Sequence, residues 1–566
     1  MVHAKPACRP GPRRRIARIA DLAGLLLRTG LLFSGRPLRA PRQVRALRRW
    51  GTTLAGLTVA NAVREPDRPA LIDDRGALSF AELDDRTGRL AAGLRPDVPR
   101  PRVGVLCRNH RGMAETLIAC GKNGAEVLLL NTGFGVGQLR AVLAELRVDV
   151  LVADAEFASA LAAVPSELRR RVLWTGEGAD AGDGPGGPTL EEVIDETAEA
   201  RRTPPPIAGR TIVLTSGTTG QPRGALLSPN PGPWALASLA SRLPLRARQT
   251  AIIEAPLFHT WGLAALQMAL AMRSAVVLHR RFDPVRTLRA VSEHRDAVLF
   301  AVPVMLQRIM ELPEPVLRGC DASRLRMVAV SGAPLPGDLA VRFMDVFGDT
   351  LYNVYGSTET AWVSIAGPKE LRAHPDTAGR PPRSTSVAIL DPAGGRVPDG
   401  AIGRIHVANE ALFEGYTSGE PPRIRDGRLS TGDVGHFGPD GLLFVDGRED
   451  GLVVSGGEKV VPRQVEDAIA RMPGVLEVAV AGVPDAAWGQ RLAAYVVPRR
   501  GARLTADAVR RHVRDQVAAY AVPRDVHFVP ELPRNATGKV VPRWLDPARP
   551  REVRSEGQVS WPHAAP

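Results

Sequence analysis

Seven short apolar runs that alternate with helical stretches constrain the fold of this chain most strongly. They occupy residues 103–106, 148–152, 211–214, 252–254, 276–278, 298–301 and 327–330. Apolar strands that alternate with helices are typical of parallel sheets, because helices then cover both faces of the sheet. The pattern therefore predicts an α/β fold with parallel strands.

The pattern changes along the chain, whose 566 residues exceed one hydrophobic core. After about residue 385 the strands become shorter, with hairpin-like turns, and from about residue 450 a smaller α+β unit follows. We predict a basic N-terminal extension at 1–50, a large domain at 51–448, a small domain at 449–546 and a flexible tail at 547–566.

The net charge of +14 is concentrated at the N terminus. Residues 1–50 hold thirteen basic residues against one acid, Asp21, which gives +12 and leaves +2 for the rest of the chain. The sequence also lacks zinc-finger spacing and RNA-binding signatures. No nucleic-acid partner is therefore predicted.

The basic extension has three interpretations. Its apolar residues recur near helical spacing behind a run of arginines: Ile16, Ile19, Ala23, Leu26, Leu27 and Leu31. A helix here could pack on the protein, lie on an anionic membrane surface, or serve as a targeting segment. The apolar stretch at 22–33 is too short to span a bilayer.

The cysteines bear on the compartment. Cys8, Cys107, Cys120 and Cys320 are scattered, without a disulfide framework or metal spacing. We therefore expect a protein of the reducing cytoplasm, with peripheral membrane contact through residues 1–50 as a further role of that segment.

A loop rich in glycine and hydroxyl groups follows the apolar run at 211–214. It reads Thr215, Ser216, Gly217, Thr218, Thr219, Gly220, Gln221, Pro222, Arg223, Gly224. Glycines permit close backbone approach, and hydroxyl and N–H groups suit a polyphosphate. The loop does not match the Walker pattern, and a plain surface loop is the alternative.

Lysine is rare in this chain, with 5 copies among 74 basic residues. One of them, Lys539, ends the run Pro-Arg-Asn-Ala-Thr-Gly-Lys. A compact ammonium on a flexible stem can reach into a crowded site where a planar guanidinium needs more room. We predict a catalytic lysine, with a solvated surface lysine as the alternative.

Six further motifs follow in order along the chain. They are Pro-Leu-Phe-His-Thr-Trp-Gly at 256–262, Ser-Gly-Ala-Pro-Leu-Pro at 331–336, Asn-Val-Tyr-Gly-Ser-Thr-Glu-Thr at 353–360, Ser-Thr-Gly-Asp at 430–433, Gly-Arg-Glu-Asp at 447–450 and Ser-Gly-Gly-Glu-Lys at 455–459. With the loop and Lys539, they resemble the adenylate-forming (ANL) superfamily, and specifically its fatty acyl-CoA synthetases, the long-chain-fatty-acid–CoA ligases. The resemblance runs from about residue 52 to 545. Arg223 stands where the family usually has lysine.

The resemblance implies a large N-terminal adenylating domain of parallel α/β subdomains plus a distorted β-barrel, followed by a smaller mobile α+β domain. It also implies the chemistry. A fatty acid would react with ATP to give acyl-AMP and pyrophosphate, and CoA would then displace AMP. ATP, Mg²⁺ and CoA are the expected cofactors and co-substrates.

The resemblance further implies a role for each matched residue. ATP and AMP would be bound by Thr215, Ser216, Gly217, Thr218, Thr219, Gly220, Arg223, Ser331, Gly332, Ala333, Tyr355, Gly356, Asp433 and Arg448. The acyl group and CoA would contact His259, Trp261, Gly262, Gly456 and Gly457. Thr358, Glu359 and Lys539 would be catalytic, Glu359 and Thr218 would hold Mg²⁺, and Asp450 would be the hinge.

The substrate class follows in part. Amino-acid-activating relatives carry an aspartate for the substrate ammonium in the stretch that aligns with residues 257–259, and here no acid is present. The apolar surroundings favour a fatty acid. An aryl or other carboxylate–CoA ligase, a fatty acyl-AMP ligase that loads a carrier protein, and a catalytically inactive membrane-surface scaffold are the alternatives.

Overall fold

Four β-sheets and the helices packed on them build the described part of the chain. The computed structural model describes residues 22–94, 98, 100–176, 186–200, 203–216, 222–230, 232–451, 453–455, 458–485, 489–541 and 545. The prediction of a large α/β unit followed by a smaller one is confirmed.

The first sheet has eight strands in the order β14-β13-β12-β11-β9-β10-β1-β2. Its strands are β1 Pro69–Asp73, β2 Gly76–Ser79, β9 Thr250–Ile253, β10 Ala275–Leu278, β11 Ala297–Ala301, β12 Leu325–Val330, β13 Leu351–Tyr355 and β14 Ser364–Ala366. The six inner strands pair in parallel, and β2 and β14 close the edges antiparallel. The carboxyl ends of the inner strands therefore meet at one edge of the sheet, where ligands of open α/β sheets bind.

The second sheet has seven strands in the order β17-β8-β7-β4-β3-β5-β6. Its strands are β3 Arg102–Leu106, β4 Glu126–Leu129, β5 Val150–Ala153, β6 Val172–Trp174, β7 Thr211–Ser216, β8 Pro222–Leu227 and β17 Gly415–Tyr416. Strands β3 to β7 pair in parallel, whereas β7 and β8 form an antiparallel hairpin around the glycine-rich loop. Each of the seven apolar runs of the sequence thus overlaps a strand of these two sheets.

Two antiparallel-rich sheets follow. The third contains β15 Ser386–Leu390, β16 Gly403–Ala408, β18 Ile424–Arg425, β19 Arg428–Phe437 and β20 Leu443–Arg448. The fourth contains β21 Val453–Ser455, β22 Glu458–Val460, β23 Val475–Asp485, β24 Gly489–Pro498 and β25 Asp525–Phe528. The fourth sheet has its own apolar core, so the small unit buries a face independently.

The helices cover the sheets. They are α1 Ala40–Trp50, α2 Leu54–Arg64, α3 Phe80–Gly93, α4 Arg111–Asn123, α5 Val136–Leu146, α6 Ala158–Ala162, α7 Leu190–Glu196, α8 Gly232–Leu239, α9 Thr260–Ala271, α10 Pro284–Glu293, α11 Pro303–Met310, α12 Glu314–Arg318, α13 Gly337–Phe347, α14 Pro368–Ala373, α15 Pro462–Ala470 and α16 Ala506–Gln516. Their starts follow local rules. Ser79 and Glu82, for example, form a capping box at α3. No helix in the described ranges is long and apolar enough to cross a bilayer.

The described part of the basic extension is held by the body of the protein. Residues 22–29 are helical, and Leu25 and Thr29 are buried. The Arg273 guanidinium donates to the carbonyl oxygens of Leu31 and Ser34, both at 3.0 Å. Residues 22–34 are therefore an ordered part of the fold.

Candidate active site

The carboxyl ends of β9 and β12 bring His259 and Gly332 together. His259 caps the N terminus of α9, where its Nδ1 accepts a hydrogen bond from the Trp261 amide at 3.4 Å. Gly332 has a φ of +88°, and a Cβ there would lie 3.9 Å from Cε1 of His259 and 3.7 Å from Cγ1 of Val302. Glycine suits this left-handed conformation, and it keeps the space beside His259 open.

The segment after β13 supplies hydroxyl and carboxylate groups. The hydroxyl groups of Thr358 and Thr260 share a hydrogen bond of 2.9 Å, and Thr358 is buried. Oε1 of Glu359 accepts a hydrogen bond from the Tyr416 hydroxyl at 3.1 Å. Thr260 directly follows His259, so this bond ties the two predicted motifs to each other.

Tyr355, Asp433 and Arg448 form one chain of contacts. The Tyr355 hydroxyl donates to Oδ2 of Asp433 at 2.6 Å, and Nη1 of Arg448 lies 3.3 Å from Oδ1. Asp433 and Arg448 are partners across β19 and β20. Burial raises the pKa of Asp433, and the bond from Tyr355 and the charge of Arg448 oppose that rise. Burial and the Asp433 charge raise the pKa of Tyr355.

Lys539 lies on a preformed turn. Oδ1 of Asn535 accepts hydrogen bonds from the amides of Thr537 and Lys539, at 3.1 and 3.0 Å. Gly538 has a φ of +81°, and Ala536 packs against the large apolar core that the two parallel sheets share. The turn therefore presents Lys539 from the small unit to the large one.

The charge of Lys539 acts on two groups of the large unit. Burial, and next the nearby ammonium of Lys539, lower the pKa of His259 to about 4. The same ammonium opposes the rise in the pKa of Asp433. Lys539 thus faces the part of the large unit that holds His259 and Asp433.

Close packing explains three of the predicted positions. A Cβ on Gly262 would lie 2.2 Å from the Pro256 carbonyl oxygen, and one on Gly356 would lie 1.9 Å from that of Ala361. The Trp261 indole donates to the Ala301 carbonyl oxygen at 2.9 Å and is 7% exposed. The structure thus gives Trp261 a core contact, while its role towards an acyl group stays a prediction.

The remaining predicted residues divide into two groups. Ser331 and Ala333 flank Gly332 after β12, Thr215 lies on β7, and Nη1 of Arg223 pairs with Glu420 at 2.7 Å. The positions of Gly217, Thr218, Thr219, Gly220, Gly456 and Gly457 lie outside the described residues. Asp450 lies in the 3₁₀ turn Glu449–Gly451, but its side chain and that of Ser216 also lie outside that description.

Comparison with known proteins identifies the family. Residues 59–417 match the family model of AMP-binding enzymes, and residues 464–539 match that of the AMP-binding enzyme C-terminal domain. The chain belongs to the AMP-binding enzyme family.

Two curated relatives and one solved structure illustrate the similarity. A feruloyl-CoA synthase from Amycolatopsis sp is 35% identical over 86% of this chain and 97% of the relative. An indoleacetate–CoA ligase from Aromatoleum aromaticum is 32% identical over 84% and 94%. ATP-bound MatB from Rhodopseudomonas palustris superimposes with a TM-score of 0.77 at 27% identity, over 89% of this chain and 99% of that one.

These similarities establish the reaction class of this AMP-binding enzyme. It is an AMP-forming acid–thiol ligase, which activates a carboxylate with ATP as an acyl-adenylate and transfers the acyl group to CoA. The adenylate-forming superfamily is confirmed. The narrower assignment to fatty acyl-CoA synthetases is not confirmed, because these relatives are named for ferulate and indoleacetate.

Asn109 is a residue that sequence reasoning missed. Its buried Nδ2 donates to the carbonyl oxygens of Ile253 and Ala255, at 3.2 and 3.0 Å, and its Oδ1 accepts from the Leu257 amide at 2.8 Å. Asn109 follows β3 of the second sheet, so it fastens the loop that carries His259 to the neighbouring sheet. An isolated asparagine gives no sequence signal for such a bond between sheets.

We predict that Asn109→Leu lowers kcat for acyl-adenylate formation, while the KM for ATP changes little. Loss of three bonds would let the loop before His259 shift, and a misplacement of about 1 Å costs roughly 100-fold in rate. Stopped-flow or pyrophosphate-release kinetics would measure it. Asn123→Leu is the matched control, because that buried asparagine bonds Ala91 and Ala125 away from the site. Equal losses in both variants, in proportion to stability, would contradict a positioning role.

We also predict that His259 stays neutral throughout the pH range from about 5 to 8, because its folded pKa of about 4 lies below its ordinary 6.5. The unfolded chain binds the proton more readily, so this histidine contributes stability above pH 6.5 that is lost as the pH falls towards 4. In Lys539→Ala its pKa should rise but stay below 6.5, since burial is the larger cause. NMR titration of the ring protons measures this, with Lys369→Ala as the control. A pKa that does not move in Lys539→Ala would mean that the two groups are apart in solution.

A buried cluster of Cys107, His110 and Asp154 has metal-ligating atoms within 4.8 Å of one another. Its hydrogen bonds explain it without an ion. Nδ1 of His110 accepts from the Gly112 amide, so Nε2 carries the proton and donates to Asp154 at 2.8 Å. Asp154 also accepts from Thr175 at 2.9 Å. The cluster fastens the carboxyl ends of β3 and β5 together.

Proposed function

We propose that this enzyme activates a fatty acid and transfers it to CoA. The observation that carries the proposal is the set of apolar side chains beside His259, with no acidic residue at 257–259. The neighbouring Leu257 and Phe258 are buried, Val302 faces the Gly332 position, and His259 itself is neutral at physiological pH. Such a surface suits a hydrocarbon tail and offers no partner for a substrate ammonium.

An aryl carboxylate is the second candidate. The similarity to the feruloyl-CoA synthase and the indoleacetate–CoA ligase favours it, and the apolar surface beside His259 would accept an aromatic ring equally well. A carrier protein as the acyl acceptor, and a scaffold without activity, are distinguished by the same experiment.

Acyl-adenylate formation would depend on charge and position. A carboxylate attacks the α-phosphorus of ATP and pyrophosphate leaves, so two anions must approach each other. Lys539 would bridge the carboxylate and the α-phosphate, and the Thr358 hydroxyl would orient one of them. The glycine-rich loop, with Arg223, would hold the β- and γ-phosphates. The Arg223–Glu420 pair would then open to release the guanidinium.

Nucleotide and metal would occupy the groups around Tyr355 and Glu359. Asp433 and Arg448 would hold the ribose hydroxyls, and Tyr355 with Ser331, Ala333 and the Gly356 backbone would contact adenine. Tyr416 donates to Oε1 of Glu359, and no hydrogen bond to Oε2 occurs within the described residues, so the hard carboxylate oxygen Oε2 fits Mg²⁺ beside ATP phosphates. With Thr218, Glu359 would hold Mg²⁺, which would neutralise phosphate charge.

The thiol transfer would need a second arrangement. Rotation of the small domain, 449–546, about Asp450 would withdraw Lys539 from the large domain, 51–448, and bring Gly456 and Gly457 towards the CoA channel. The CoA sulfur would then attack the acyl carbonyl carbon and AMP would leave. We place the reaction in the cytoplasm, where ATP and CoA are supplied and where Cys107, Cys120 and Cys320 are free thiols.

The test is acid-dependent AMP release by the full chain, with and without CoA, for matched fatty and aryl acids. CoA-dependent turnover that rises with alkyl chain length supports the fatty acid. Preference for cinnamate-type or arylacetic acids would show that the substrate is an aryl carboxylate and not a fatty acid. Pyrophosphate release without CoA turnover would indicate a carrier-protein acceptor, and no thermal shift with Mg-ATP would indicate a scaffold.

A further inference from the structure

The outer surface of residues 27–49, which we call the basic face, lies outside the family match at 59–417. Hydrogen bonds from the body of the protein hold the backbone of its first part in place. Nη2 of Arg64 donates to the carbonyl oxygens of Leu32 and Ser34, both at 3.1 Å, and the Ala247 amide donates to Thr29 at 2.8 Å. The orientation of its side chains is therefore set by the fold.

Large apolar side chains on the basic face point to solvent. Their exposed fractions are 66% for Leu27, 43% for Leu32, 67% for Phe33, 95% for Leu38 and 46% for Val44. Single exposed apolar residues are ordinary, but five within eighteen residues of chain concentrate apolar surface in one segment. Concentrated apolar surface of this kind marks interaction sites on soluble proteins.

Arginines alternate with these apolar residues along the segment. Arg28, Arg36, Arg42, Arg45, Arg48 and Arg49 are exposed, and no Asp or Glu occurs between residues 22 and 64. Arg36 pairs with Asp67 at 2.7 Å, at the border of the face. The face therefore has strong positive charge, whereas the body of the chain is nearly neutral.

We propose that the basic face docks on an anionic lipid bilayer. Exposed leucine and phenylalanine can enter the boundary between headgroups and acyl chains, while arginines on the same face contact lipid phosphates. A nucleic acid would match the charge but would leave Phe33 and Leu38 without a partner. The combination of both features therefore favours lipid.

The basic face is also joined to the site. Oγ1 of Thr52, just after α1, bonds Oδ1 of Asn230 at 2.6 Å, and Gln267 of α9 donates to the Thr52 carbonyl oxygen at 3.2 Å. His259 caps that same helix. If the substrate is a fatty acid, as the proposed function has it, docking would hold the enzyme where its substrate dissolves. The docking itself does not depend on that assignment.

The test is flotation of the full chain with phosphatidylcholine vesicles, with and without phosphatidylglycerol, at low and high salt. We expect binding only with the anionic lipid and weaker binding at high salt. Phe33→Ser with Leu38→Ser, and separately Arg42→Gln with Arg45→Gln and Arg48→Gln, should each weaken binding roughly tenfold or more. Deleting residues 1–50 is a poorer test, because it would strip the carbonyl partners from Arg64 and Arg273.

Matched controls keep the test specific. Ile207→Ser with Phe528→Ser removes exposed apolar groups elsewhere, and Arg295→Gln with Arg318→Gln and Arg326→Gln removes equal charge. Binding should then stay at the level of the unchanged protein, and turnover of a water-soluble acid should persist in every variant. Equal loss in controls and face variants would overturn the proposal. The proposal would also be overturned if the protein bound duplex DNA as tightly as anionic vesicles and Phe33→Ser with Leu38→Ser left that binding unchanged.

Discussion

Lys539→Ala should lower the rate of acyl-adenylate formation by roughly 100- to 1,000-fold, the usual effect of removing one group that stabilises developing charge. Asn535 holds the turn at 535–539. The Lys539 ammonium on this turn favours lower pKa values for both His259 and Asp433. The side chain is therefore aimed at the place where carboxylate and phosphate would meet. Truncation to alanine would leave the repulsion between the substrate carboxylate and the α-phosphate without a counter-charge.

The same variant should transfer the acyl group from supplied acyl-adenylate to CoA at nearly the normal rate, because the proposed rotation withdraws Lys539 before that step. Pyrophosphate exchange measures the first half-reaction, and CoA thioester formation from synthetic acyl-adenylate measures the second. The exposed Lys369→Ala is the control for loss of a lysine. Comparable losses in both half-reactions would exclude a role confined to adenylation. Lys539→Arg should recover little, since a guanidinium fork does not replace a compact ammonium.

Glu65→Gln should lower the free energy of unfolding by about 3–5 kcal/mol, because it removes the anion from a buried group of arginines. Glu65 is 4% exposed, and its carboxylate lies 3.2 Å from Nε of Arg273 and 3.2 Å from Nε of Arg248. The pKa of Arg273 is lowered to about 10, chiefly by burial and also by the charges of Arg64 and Arg248, against the opposing effect of Glu65. Without Glu65, the buried guanidinium groups of Arg64 and Arg273 would lose their counter-charge.

Urea unfolding followed by tryptophan fluorescence would measure this loss in the first transition. Glu314→Gln is the control, since Glu314 pairs with Arg318 on the surface, where side chains are 70% and 77% exposed. Such exposed pairs contribute between zero and about 1 kcal/mol. If Glu65→Gln costs no more than Glu314→Gln, the arginine group does not depend on its central carboxylate.

The sequence predicted the sheets well because their strands are continuous apolar runs, such as 298–301, whose burial depends on local composition. It also singled out Lys539, through the scarcity of lysine and the motifs around it. The role of Asn109 and the bond between Thr260 and Thr358 could not be found in this way. Their partners at 257 and 358 come from other strands, so the bonds exist only once the two sheets and their crossing loops are assembled.

Two further sets of contacts could not be predicted from the sequence. The cysteines showed no metal spacing, yet the fold places Cys107 beside His110 and Asp154, because β3 and β5 are neighbours although 44 residues separate His110 from Asp154. For the basic extension the sequence left three interpretations open, and only the structure shows that its described part is bonded to Arg64 and Arg273. Long-range partners of this kind leave no periodicity in the sequence.

The bond between Ser34 and Arg273 has a consequence for synthesis. Ribosomes complete Ser34 more than two hundred residues before Arg273, so the basic segment emerges long before the guanidinium that secures it. At the usual rates of translation, that interval lasts roughly 10 to 50 s. During this time the nascent chain displays an arginine-rich apolar segment at the tunnel exit, where it can meet a chaperone or a lipid surface before the enzyme exists.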